Sequence, residues 1–287
     1  MTARIVITGA GGQVGRYLAG VLTGQGRDLL ALSSAQWDIT DPAAGRDLLA
    51  AGDVVVNCAA LTAVDIAEAD ESRAHAVNAA GAGHVARACA AAGARLIHIS
   101  TDYVFNGIFD GEPHPYEIDD PTAPLSVYGR TKLAGELAVL AAMPDAYVVR
   151  TAWIYEGADG SDFAAVMRRA ASGSGTVEVV ADQIGTPTYV RDLCGALLQI
   201  ADGSVRGPVL HAANEGGASR FEQAQAIFAE LGEDPDRVRP VSSDKHPRPA
   251  PRPSYSVLSS VKSAAAGLTP LRPWREALAE ALATARG

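Results

Sequence analysis

The stretch RIVITGAGGQVG, residues 4–15, decides the fold of this 287-residue chain. A β-branched run precedes Gly9, Gly12 and Gly15, which stand at three-residue spacing before an amphipathic segment. Glycines at such a turn let the backbone approach a pyrophosphate, and the N-terminus of the following helix attracts the anion. The spacing alone is weak, because 29 glycines would give it by chance about 0.3 times. Its place between a first strand and a helix favours a dinucleotide-binding turn over a purely structural one.

Outward from this turn, short β-branched runs alternate with Ala-rich amphipathic segments. The predicted strands are RIVIT (4–8), DLLAL (28–32), DVVVNC (53–58), RLIHIS (95–100) and YVVRT (147–151). The predicted helices are 13–25, 41–51, 68–91 and 126–142. Such alternation is typical of a parallel sheet with right-handed crossovers. The predicted fold class is therefore α/β, a Rossmann-type doubly wound parallel sheet with a smaller C-terminal substrate-binding lobe.

The spacing of the elements loosens after residue 152. Further helices are predicted at 161–172, 190–202, 219–231 and 274–285, and strands near 176–180 and 208–212. The Pro-rich segment HPRPAPRPSY (246–255) is predicted as an extended loop, since proline cannot donate a backbone hydrogen bond. We predict a dinucleotide-binding Rossmann domain over 1–152, to which some elements from 176–212 and 238–258 return. Residues 153–287 are predicted to form mainly a substrate-binding lobe.

The charge of the chain limits its partners. The net charge is −9, and the longest run of basic residues is Arg168-Arg169. A nucleic acid or an anionic membrane surface would be repelled over most of such a surface, although one pocket can still gather basic groups for a small anion. No apolar stretch reaches the roughly 18 residues of a membrane helix. We expect a small-molecule partner, with no nucleic acid and no membrane.

The cysteines and histidines give no sign of a disulfide framework or a metal site. Cys58, Cys89 and Cys194 lack CxxC spacing, and the six histidines form no HxH or HExxH pair. Buried thiols in a reducing cytoplasm are the better interpretation. The N-terminal MTARIVITGAGG lacks a charged segment followed by a long apolar one, so we expect no signal peptide and a cytoplasmic location.

The end of the second strand bears on the choice between NAD and NADP. An acidic residue there would bind the ribose 2′-hydroxyl, but DLLAL is followed by Ser33 and Ser34. A serine hydroxyl can donate to a 2′-phosphate, which favours NADPH, with NADH as the alternative. Asp38 and Ile39 follow closely and could border the adenine. For Asp38, a helix N-cap or a turn is the competing interpretation.

A second segment carries the predicted chemistry. PLSVYGRTKLAGE, residues 124–136, places Tyr128 and Lys132 one helical turn apart, and Lys132 is one of only three lysines. Chance would supply about 0.08 YxxxK pairs in a chain of this composition. Thr101 follows the strand RLIHIS and so lies at the carboxyl edge of the sheet, where ligands bind. The three side chains form a candidate donor set for a carbonyl; the alternative is an ordinary amphipathic helix with a snorkelling lysine.

In this interpretation the Thr101 hydroxyl holds the carbonyl oxygen, Tyr128 gives it a proton, and Lys132 lowers the pKa of Tyr128. A free phenol titrates near ~10, which makes proton exchange at neutral pH slow. A shift of about two to three units corresponds to roughly 3–4 kcal/mol, within reach of one cation in a desolvated site. The compact ammonium of lysine also reaches ribose hydroxyls better than the planar fork of arginine.

These features together resemble the extended short-chain dehydrogenase/reductase family. The segments that carry the resemblance are VVVNCAALTAVDIAEAD (54–70), ISTDYVFNG (99–107), PLSVYGRTKLAGE (124–136), RTAWIYE (150–156), DQIGTPT (182–188) and RPSYSVL (252–258). They follow one another over nearly the whole chain and are more specific than the glycine turn. The EGADGSD segment (156–162) departs from the pattern, which indicates a different cover over the sugar.

The resemblance implies an NADPH-dependent reduction of the C4 ketone of a dTDP-linked 6-deoxy sugar, with Tyr128 as proton donor. Catalytic residues are then Thr101, Tyr128 and Lys132. Cofactor-binding residues are Gly9, Gly12, Gln13, Val14, Gly15, Ser33, Asp38, Ile39, Ala60, Leu61, Thr62, Tyr128 and Lys132. Substrate-binding residues are Thr101, Asp102, Tyr103, Tyr128, Trp153 and Arg252. No metal is predicted.

Three of these residues have plain structural alternatives. Trp153 could be a core aromatic residue rather than part of a sugar pocket. Arg252 is proposed for the diphosphate because guanidinium binds phosphate bidentately, but it could be a solvated loop arginine. The resemblance also singles out Asn78, either as a holder of an ordered water or as a plain helix residue.

Two other functions compete with this one. Related regulatory subunits of methionine adenosyltransferase bind NADP and act through protein contacts, but the complete set Thr101, Tyr128 and Lys132 argues against that reading. A reductase or epimerase of another nucleotide sugar is the second alternative, since the sequence does not reveal the stereochemistry at C4. The oligomeric state is predicted only as monomer or homodimer.

Overall fold

The computed structural model describes residues 3–157 and 160–285. Its strands in chain order are Ile5–Thr8 (β1), Leu29–Leu32 (β2), Val54–Asn57 (β3), Arg95–Thr101 (β4), Tyr147–Thr151 (β5), Ile154–Tyr155 (β6), Val177–Val180 (β7), Ile184–Gly185 (β8), Thr188–Tyr189 (β9), Val209–His211 (β10), Asn214–Glu215 (β11), Ala218–Ser219 (β12), Val238–Val241 (β13) and Leu271–Pro273 (β14). Its α-helices are Gln13–Gly24 (α1), Val64–Ala69 (α2), Glu71–His75 (α3), Ala82–Ala92 (α4), Val127–Ala142 (α5), Phe163–Ala171 (α6), Val190–Ala201 (α7), Arg220–Glu230 (α8), Val261–Ala265 (α9) and Trp274–Thr284 (α10). A π-helical segment, Ala76–Gly81, joins α3 to α4.

A parallel sheet of six strands lies at the centre, in the order β10-β5-β4-β3-β1-β2. Every residue of β1 and β3 is buried. Ile5 and Ile7 join one apolar cluster and Val6 joins another, because successive side chains of a strand point to opposite faces. Strands buried on both faces are the mark of a parallel sheet between two helical layers. The predicted Rossmann-type doubly wound sheet is confirmed.

The order of the strands creates the crevice in which a ligand can bind. The chain passes from β1 outward to β2 and then returns to β3 on the other side of β1. Helix α1 packs beside α7 on one face of the sheet, and α4 packs beside α5 on the other. Where the strand order reverses in this way, the two connections diverge and leave a crevice at the carboxyl ends of the strands.

The prediction of a helix at 41–51 is wrong, because this segment forms successive turns. Gly45 lies against the indole of Trp37, so closely that a Cβ atom there would be 2.4 Å from Trp37 Cζ2. Asp41 closes the first turn by accepting a hydrogen bond from the Ala43 N–H at 2.8 Å. A short run interrupted by glycine gains too little from helical hydrogen bonds to compete with that packing.

The segment predicted as one helix over 68–91 is divided. Asp70 ends α2 and caps α3, with φ −138° and ψ 73°, and its carboxylate accepts from the Arg73 N–H at 3.0 Å. A π-helical segment follows and contacts α5. An aspartate that caps one short helix necessarily interrupts a longer one.

The later strands form small separate sheets. β7 pairs with β13, β6 with β9 and β11 with β14, all parallel, whereas β8 and β12 pair antiparallel. β10 instead joins the central sheet beside β5. Helices α6 and α10 pack against α8. The division of the chain into a cofactor domain over 1–152 and a substrate lobe over 153–287 stays a prediction.

Gly15 offers a test of how tightly the glycine turn packs on α1. A Cβ atom at Gly15 would lie 2.5 Å from Gly9 O and 2.9 Å from Ala10 Cα, so Gly15→Ala must push the helix away from the turn. We expect a loss of about 2–4 kcal/mol in the free energy of unfolding, measured by urea denaturation. The control is Gly20→Ala on the exposed side of the same helix, where no atom lies within 4 Å of the added Cβ. This variant should gain about 0.5–1 kcal/mol from helix propensity, and equal losses in both variants would contradict the packing argument.

Candidate active site

A cleft of about 370 Å³ lies at the carboxyl ends of β3, β4 and β5, beside the glycine turn. Its walls bring together residues that are far apart in sequence. Predicted site residues on these walls are Gly12, Gln13, Val14, Ala60, Thr62, Thr101, Asp102, Tyr103, Tyr128, Lys132 and Trp153. Cys58 and Arg220 also line the cleft and were not predicted as site residues. The Thr–Tyr–Lys set and the glycine turn therefore share one cavity.

A second cavity of about 310 Å³ continues from the glycine turn toward the end of β2. The predicted cofactor residues that line it are Gly9, Gly12, Ser33, Asp38, Ile39 and Ala60. Gly12, Cys58 and Ala60 border both this cavity and the cleft, so the two spaces adjoin at the crevice. We name this space the dinucleotide cavity.

The residues around the glycine turn fit a dinucleotide. Gly12 is the N-cap of α1, with an extended backbone, no capping side chain and no acidic residue in the first turn. The N–H groups of that turn thus have no partner within the helix, and an anion in the adjoining cleft, which Gln13 and Val14 line, would satisfy them. Gly9 has φ +63°, and a Cβ atom there would lie 2.7 Å from the Ala59 backbone, so no other residue fits this turn. A pyrophosphate would be held here by backbone groups.

Two of the predicted adenine-side residues already have partners in their own loop. The Ser33 hydroxyl donates to Gln36 Oε1 at 2.9 Å. Asp38 Oδ1 accepts from the backbone N–H of Thr40 at 2.9 Å and from its hydroxyl at 2.7 Å, which holds the pKa of Asp38 below its usual range. Asp38 is thus a turn residue that also borders the cavity, and Ile39 packs into the core beneath it.

Two predicted cofactor residues lie behind the cavity walls. Gly15 is buried against the glycine turn. Leu61 packs against a small apolar cluster that includes Val127. The backbone of Leu61 is held by Asn78, which accepts from the Leu61 N–H at 2.8 Å and donates to Leu61 O and to Thr131 Oγ1, each at 3.2 Å. Asn78 therefore fastens the loop after β3 to α5, a role that neither of its two predicted interpretations included.

Tyr128 and Lys132 project from the first turns of α5. Ser126 caps this helix by accepting from the Gly129 N–H at 3.1 Å. Gly129 lets the helix approach the end of β4, since a Cβ atom there would lie 2.2 Å from Tyr103 O. The ring of Tyr128 meets the ring of Tyr103 edge to face, with centroids 5.6 Å apart.

The pKa of Tyr128 differs from the sequence-based expectation. Burial raises it above its ordinary value, the charge of Asp102 adds to the increase, and a hydrogen bond with Thr101 opposes it. Lys132 is not among the groups that shift this pKa, and its Nζ donates to the backbone carbonyl of Ile99 at 2.6 Å. In this structure the phenol is a stable, fully protonated group at neutral pH.

A buried hydrogen-bond chain lies behind Lys132. Asn57 Oδ1 accepts from the Thr8 hydroxyl at 2.6 Å and from the Ala59 N–H at 3.2 Å, so the Asn57 amide nitrogen must donate to His98 Nδ1, 2.9 Å away. Burial keeps the pKa of His98 well below its usual range, and the neutral ring therefore carries its proton on Nε2. That N–H faces Lys132 Nζ at 3.4 Å. Because the Nε2–H of His98 is a donor, it favours the neutral amine form of Lys132, which can accept its hydrogen bond.

Burial lowers the pKa of Lys132 to about 8, against the opposing charge of Glu136. The side chain is 2 % exposed. A cation held in such a place costs free energy of folding, because the unfolded chain keeps the same proton fully solvated.

A wider cavity of about 1020 Å³ opens beyond the cleft and carries basic side chains. These are Arg220, Lys245, His246, Arg248 and Arg252, and the walls shared with the cleft are Thr62, Val64, Tyr103, Trp153 and Arg220. Arg252 is largely engaged, since its two terminal nitrogens each lie 3.1 Å from the carboxylate of Asp65. The structure therefore places Arg252 in this cavity, but as an ion-paired residue.

Trp153 stands between the cleft and the wider cavity. It has φ 44°, the left-handed value that non-glycine residues of the described ranges otherwise avoid. Gly185 makes room for the indole, because a Cβ atom there would lie 2.4 Å from Trp153 Cε2. On the other side, the guanidinium of Arg220 lies 3.5 Å from the ring centroid. Trp153 thus forms a wall of both cavities and also packs against an apolar cluster of the core.

Sequence reasoning missed Arg220, although a readable signal lay beside it. Ser219 and Glu222 form a capping box at the start of α8, and this pattern places Arg220 in the first turn of a helix. The pattern does not show where the side chain points, because that depends on how α8 packs against the Trp153 loop. Burial lowers the pKa of Arg220 to about 10, so its charge persists at neutral pH.

Residues 3–157 and 160–285 contain neither a cluster suited to a metal ion nor a helix suited to a membrane. No group of three or more His, Cys, Asp or Glu side chains in these ranges is placed to hold a metal ion. None of the helices they contain is both long and apolar enough to cross a bilayer.

Comparison with known proteins agrees with the geometry. Residues 3–286 match the family model described as RmlD substrate binding domain. The chain is 64% identical over its full length to a dTDP-4-dehydrorhamnose reductase of Mycolicibacterium smegmatis, covering 87% of that protein. It is 66% identical over 98% of its length to the Mycobacterium tuberculosis enzyme of the same name, covering 92% of it.

The solved structures include a dTDP-4-dehydrorhamnose reductase from Bacillus anthracis in complex with NADP. It is 35% identical, with a TM-score of 0.92 over 99% of this chain and 100% of that one. The parallel sheet, the glycine turn and the Thr–Tyr–Lys set define an oxidoreductase of the short-chain dehydrogenase/reductase class. Within that class, the chain belongs to the dTDP-4-dehydrorhamnose reductase (RmlD) family.

The burial of Lys132 predicts a stability that depends on pH. Below about pH 8 the folded protein must hold a buried cation, and this penalty disappears as pH rises from about 8 toward the ordinary value of 10.5. Lys132→Met should therefore raise the free energy of unfolding by about 1–2 kcal/mol at pH 7, with a difference from wild type that narrows above pH 8. Urea unfolding of the cofactor-free protein at several pH values measures this.

The control for this variant is Lys262→Met, which removes an exposed lysine paired with Asp119. It should change the stability at pH 7 by less than about 1 kcal/mol, as expected for a surface pair. A Lys132→Met protein that is less stable than wild type at pH 7 would contradict the burial argument.

Proposed function

We propose that this chain uses NADPH to reduce the C4 ketone of dTDP-4-dehydrorhamnose (dTDP-4-dehydro-6-deoxy-L-mannose), giving dTDP-L-rhamnose, with Tyr128 as the proton donor. The observation that carries the proposal is the cleft itself. It joins the hydroxyls of Thr101 and Tyr128 to the glycine turn that fits a dinucleotide. High identity to curated relatives of this name supports the choice of substrate.

In this proposal each side chain of the cleft has one task. When bound, NADPH supplies the hydride that reaches C4 of the sugar. The phenol of Tyr128 is protonated at neutral pH and so carries the proton that the carbonyl oxygen takes up as it becomes an alkoxide. Burial raises its pKa in the cofactor-free protein, so fast transfer would need the charge of Lys132 to oppose that increase. Thr101 donates a hydrogen bond to the same oxygen. Lys132, when charged, would bind ribose hydroxyls and stabilise the phenolate that remains.

The wider cavity is proposed to take the nucleoside diphosphate. Its basic side chains supply positive charge in a protein whose net charge is −9, so the anion is drawn to this place. Arg220 and Trp153 stand where this cavity meets the cleft, so the sugar would lie beside the indole as its ketone enters the cleft. Arg252 would contribute charge from its ion pair with Asp65.

We propose NADPH rather than NADH because of the residue that borders the dinucleotide cavity at the end of β2. Ser33 borders this cavity at the end of β2, and its hydroxyl would donate to a 2′-phosphate by turning away from Gln36. The Bacillus anthracis relative was solved in complex with NADP. A regulatory, non-catalytic function is disfavoured because the complete donor set faces the cleft. The monomeric or homodimeric state remains a prediction.

Replacement of Tyr128 by phenylalanine tests the proton donor. The ring and its contact with Tyr103 are kept, so NADPH affinity should stay within a few-fold of wild type. Turnover should fall by about 10²–10⁴, the usual contribution of a positioned acid. Steady-state kinetics and NADPH titration by fluorescence measure the two effects, and a near-normal kcat would remove Tyr128 from the proposed role.

The substrate assignment is tested by a coupled assay. The dTDP-4-keto-6-deoxy sugar is supplied, NADPH and NADH oxidation are compared, and the product sugar is identified by NMR. We expect dTDP-L-rhamnose and a kcat/KM at least about tenfold higher with NADPH, equivalent to one to two kcal/mol for the 2′-phosphate contacts. Another sugar as product would favour the alternative reductase or epimerase. Tight NADP binding without any turnover would favour the regulatory function.

A further inference from the structure

Asp102 is a buried carboxyl group between the cleft and the wider cavity. It is 2 % exposed, and Ser256, which is 1 % exposed, belongs to the wall of the wider cavity. The Ser256 hydroxyl donates to Asp102 Oδ2 at 2.6 Å, and the Thr101 hydroxyl donates to Asp102 Oδ1 at 3.0 Å. Ser256 is itself fixed, since its backbone N–H donates to Ile184 O at 2.8 Å. The carboxyl group thus connects the loop after Arg252 to the hydroxyl predicted to hold the ketone.

The hydrogen bonds around Thr101 limit what this hydroxyl can do. An ionised carboxylate only accepts hydrogen bonds, and a hydroxyl has a single proton to give. In the structure that proton points to Asp102, while the Tyr103 N–H donates to Thr101 Oγ1 at 3.2 Å. Tyr128 is hydrogen-bonded to Thr101 as well. With the threonine proton directed to Asp102, the phenol is the donor in that contact, and Thr101 has no proton left for the cleft. A ketone oxygen needs a donor, so the Thr101 hydroxyl must be released before it can hold the substrate.

We propose that Asp102 is a positioning residue whose protonation turns the Thr101 hydroxyl toward the ketone, and that Ser256 controls how readily Asp102 takes up its proton. The inference rests on the proposed function. A neutral Asp102 can donate its own proton to Thr101 Oγ1, which frees the threonine proton for the carbonyl oxygen. The ionised form keeps Thr101 turned away. Reduction is thus favoured when Asp102 is neutral.

The surroundings of Asp102 allow this change near neutral pH. Burial raises the pKa of Asp102 to about 6, while the hydrogen bonds from Ser256 and Thr101 and the charge of Arg220 oppose the increase. Three titratable groups face it: Arg220 from α8, Tyr128 from α5 and Tyr103 from its own turn. Arg220 stays charged and both tyrosines stay neutral at this pH, because the pKa of each tyrosine is raised. Asp102 is therefore the member of this set that titrates.

Ser256→Ala is the variant that tests the inference. In wild type, kcat should rise as pH falls through the ionisation of Asp102. Without the Ser256 donor the ionised form is less stable, so the rise should move to higher pH by about half to one unit. Asp102→Asn, which cannot ionise and can donate to Thr101, should give a profile without this rise.

Ser254→Ala is the matched control on the same loop. Its hydroxyl is exposed and donates to Gly107 O at 3.2 Å. Its removal should therefore leave unchanged the pH at which kcat is halfway through its rise, which is the midpoint of the profile. A Ser256→Ala midpoint equal to that of wild type would overturn the inference, as would an Asp102→Asn protein that keeps the rise.

A second measurement separates this inference from the proposed function. Infrared difference spectroscopy of the cofactor-free protein follows the band of the protonated carboxyl group against pH and needs no turnover. The band assigned to Asp102, absent in Asp102→Asn, should titrate at higher pH in Ser256→Ala than in wild type. An inactive wild type with this shift would refute the proposed function while supporting the link between Ser256 and Asp102. An unshifted band would refute the link.

Discussion

The close approach of α5 to its neighbours at two glycines is the constraint on which the site depends. A Cβ atom at Gly129 would lie 2.2 Å from Tyr103 O, and one at Gly135 would lie 2.1 Å from Asn78 O. Backbone meets backbone at both points, so the helix can sit in only one place. Tyr128 precedes the first contact and Lys132 lies between the two. Their positions in the cleft are therefore set by contacts that involve no catalytic atom.

A buried ion pair fixes the same helix to the sheet. The guanidinium of Arg150 on β5 bonds both carboxylate oxygens of Glu136 on α5, at 2.8–3.3 Å, and Ser100 on β4 donates to Glu136 at 2.5 Å. Both members of the pair are almost fully buried. Taking two charges out of water is costly, and only a bidentate pair with further hydrogen bonds offsets that cost. The pair therefore holds α5 against the carboxyl ends of β4 and β5.

The sequence predicted the parts of the fold that local pattern determines. Short apolar runs, most of them rich in β-branched residues, predicted the strands of the central sheet, and the helix of Tyr128 and Lys132 begins one residue from its predicted start. The helix over 41–51 failed because the contact of Gly45 with Trp37 is tertiary, and no local pattern shows it. Local pattern likewise does not show which group a charged side chain contacts. The spacing of Tyr128 and Lys132 placed both in the cleft, but whether the ammonium meets a phenol or the Ile99 carbonyl depends on the packing of β4.

The position of Trp153 bears on whether ligand binding in the cleft affects ligand binding in the wider cavity. The indole forms a wall of both the cleft and the wider cavity, held between Gly185 and Arg220 by a backbone in the left-handed region. A ligand in one cavity that displaces the ring changes the shape of the other. By thermodynamic linkage, the affinity of each cavity must then depend on the occupant of the other by the same factor. Cooperativity between nucleotide sugar and cofactor would in that case pass through a single side chain.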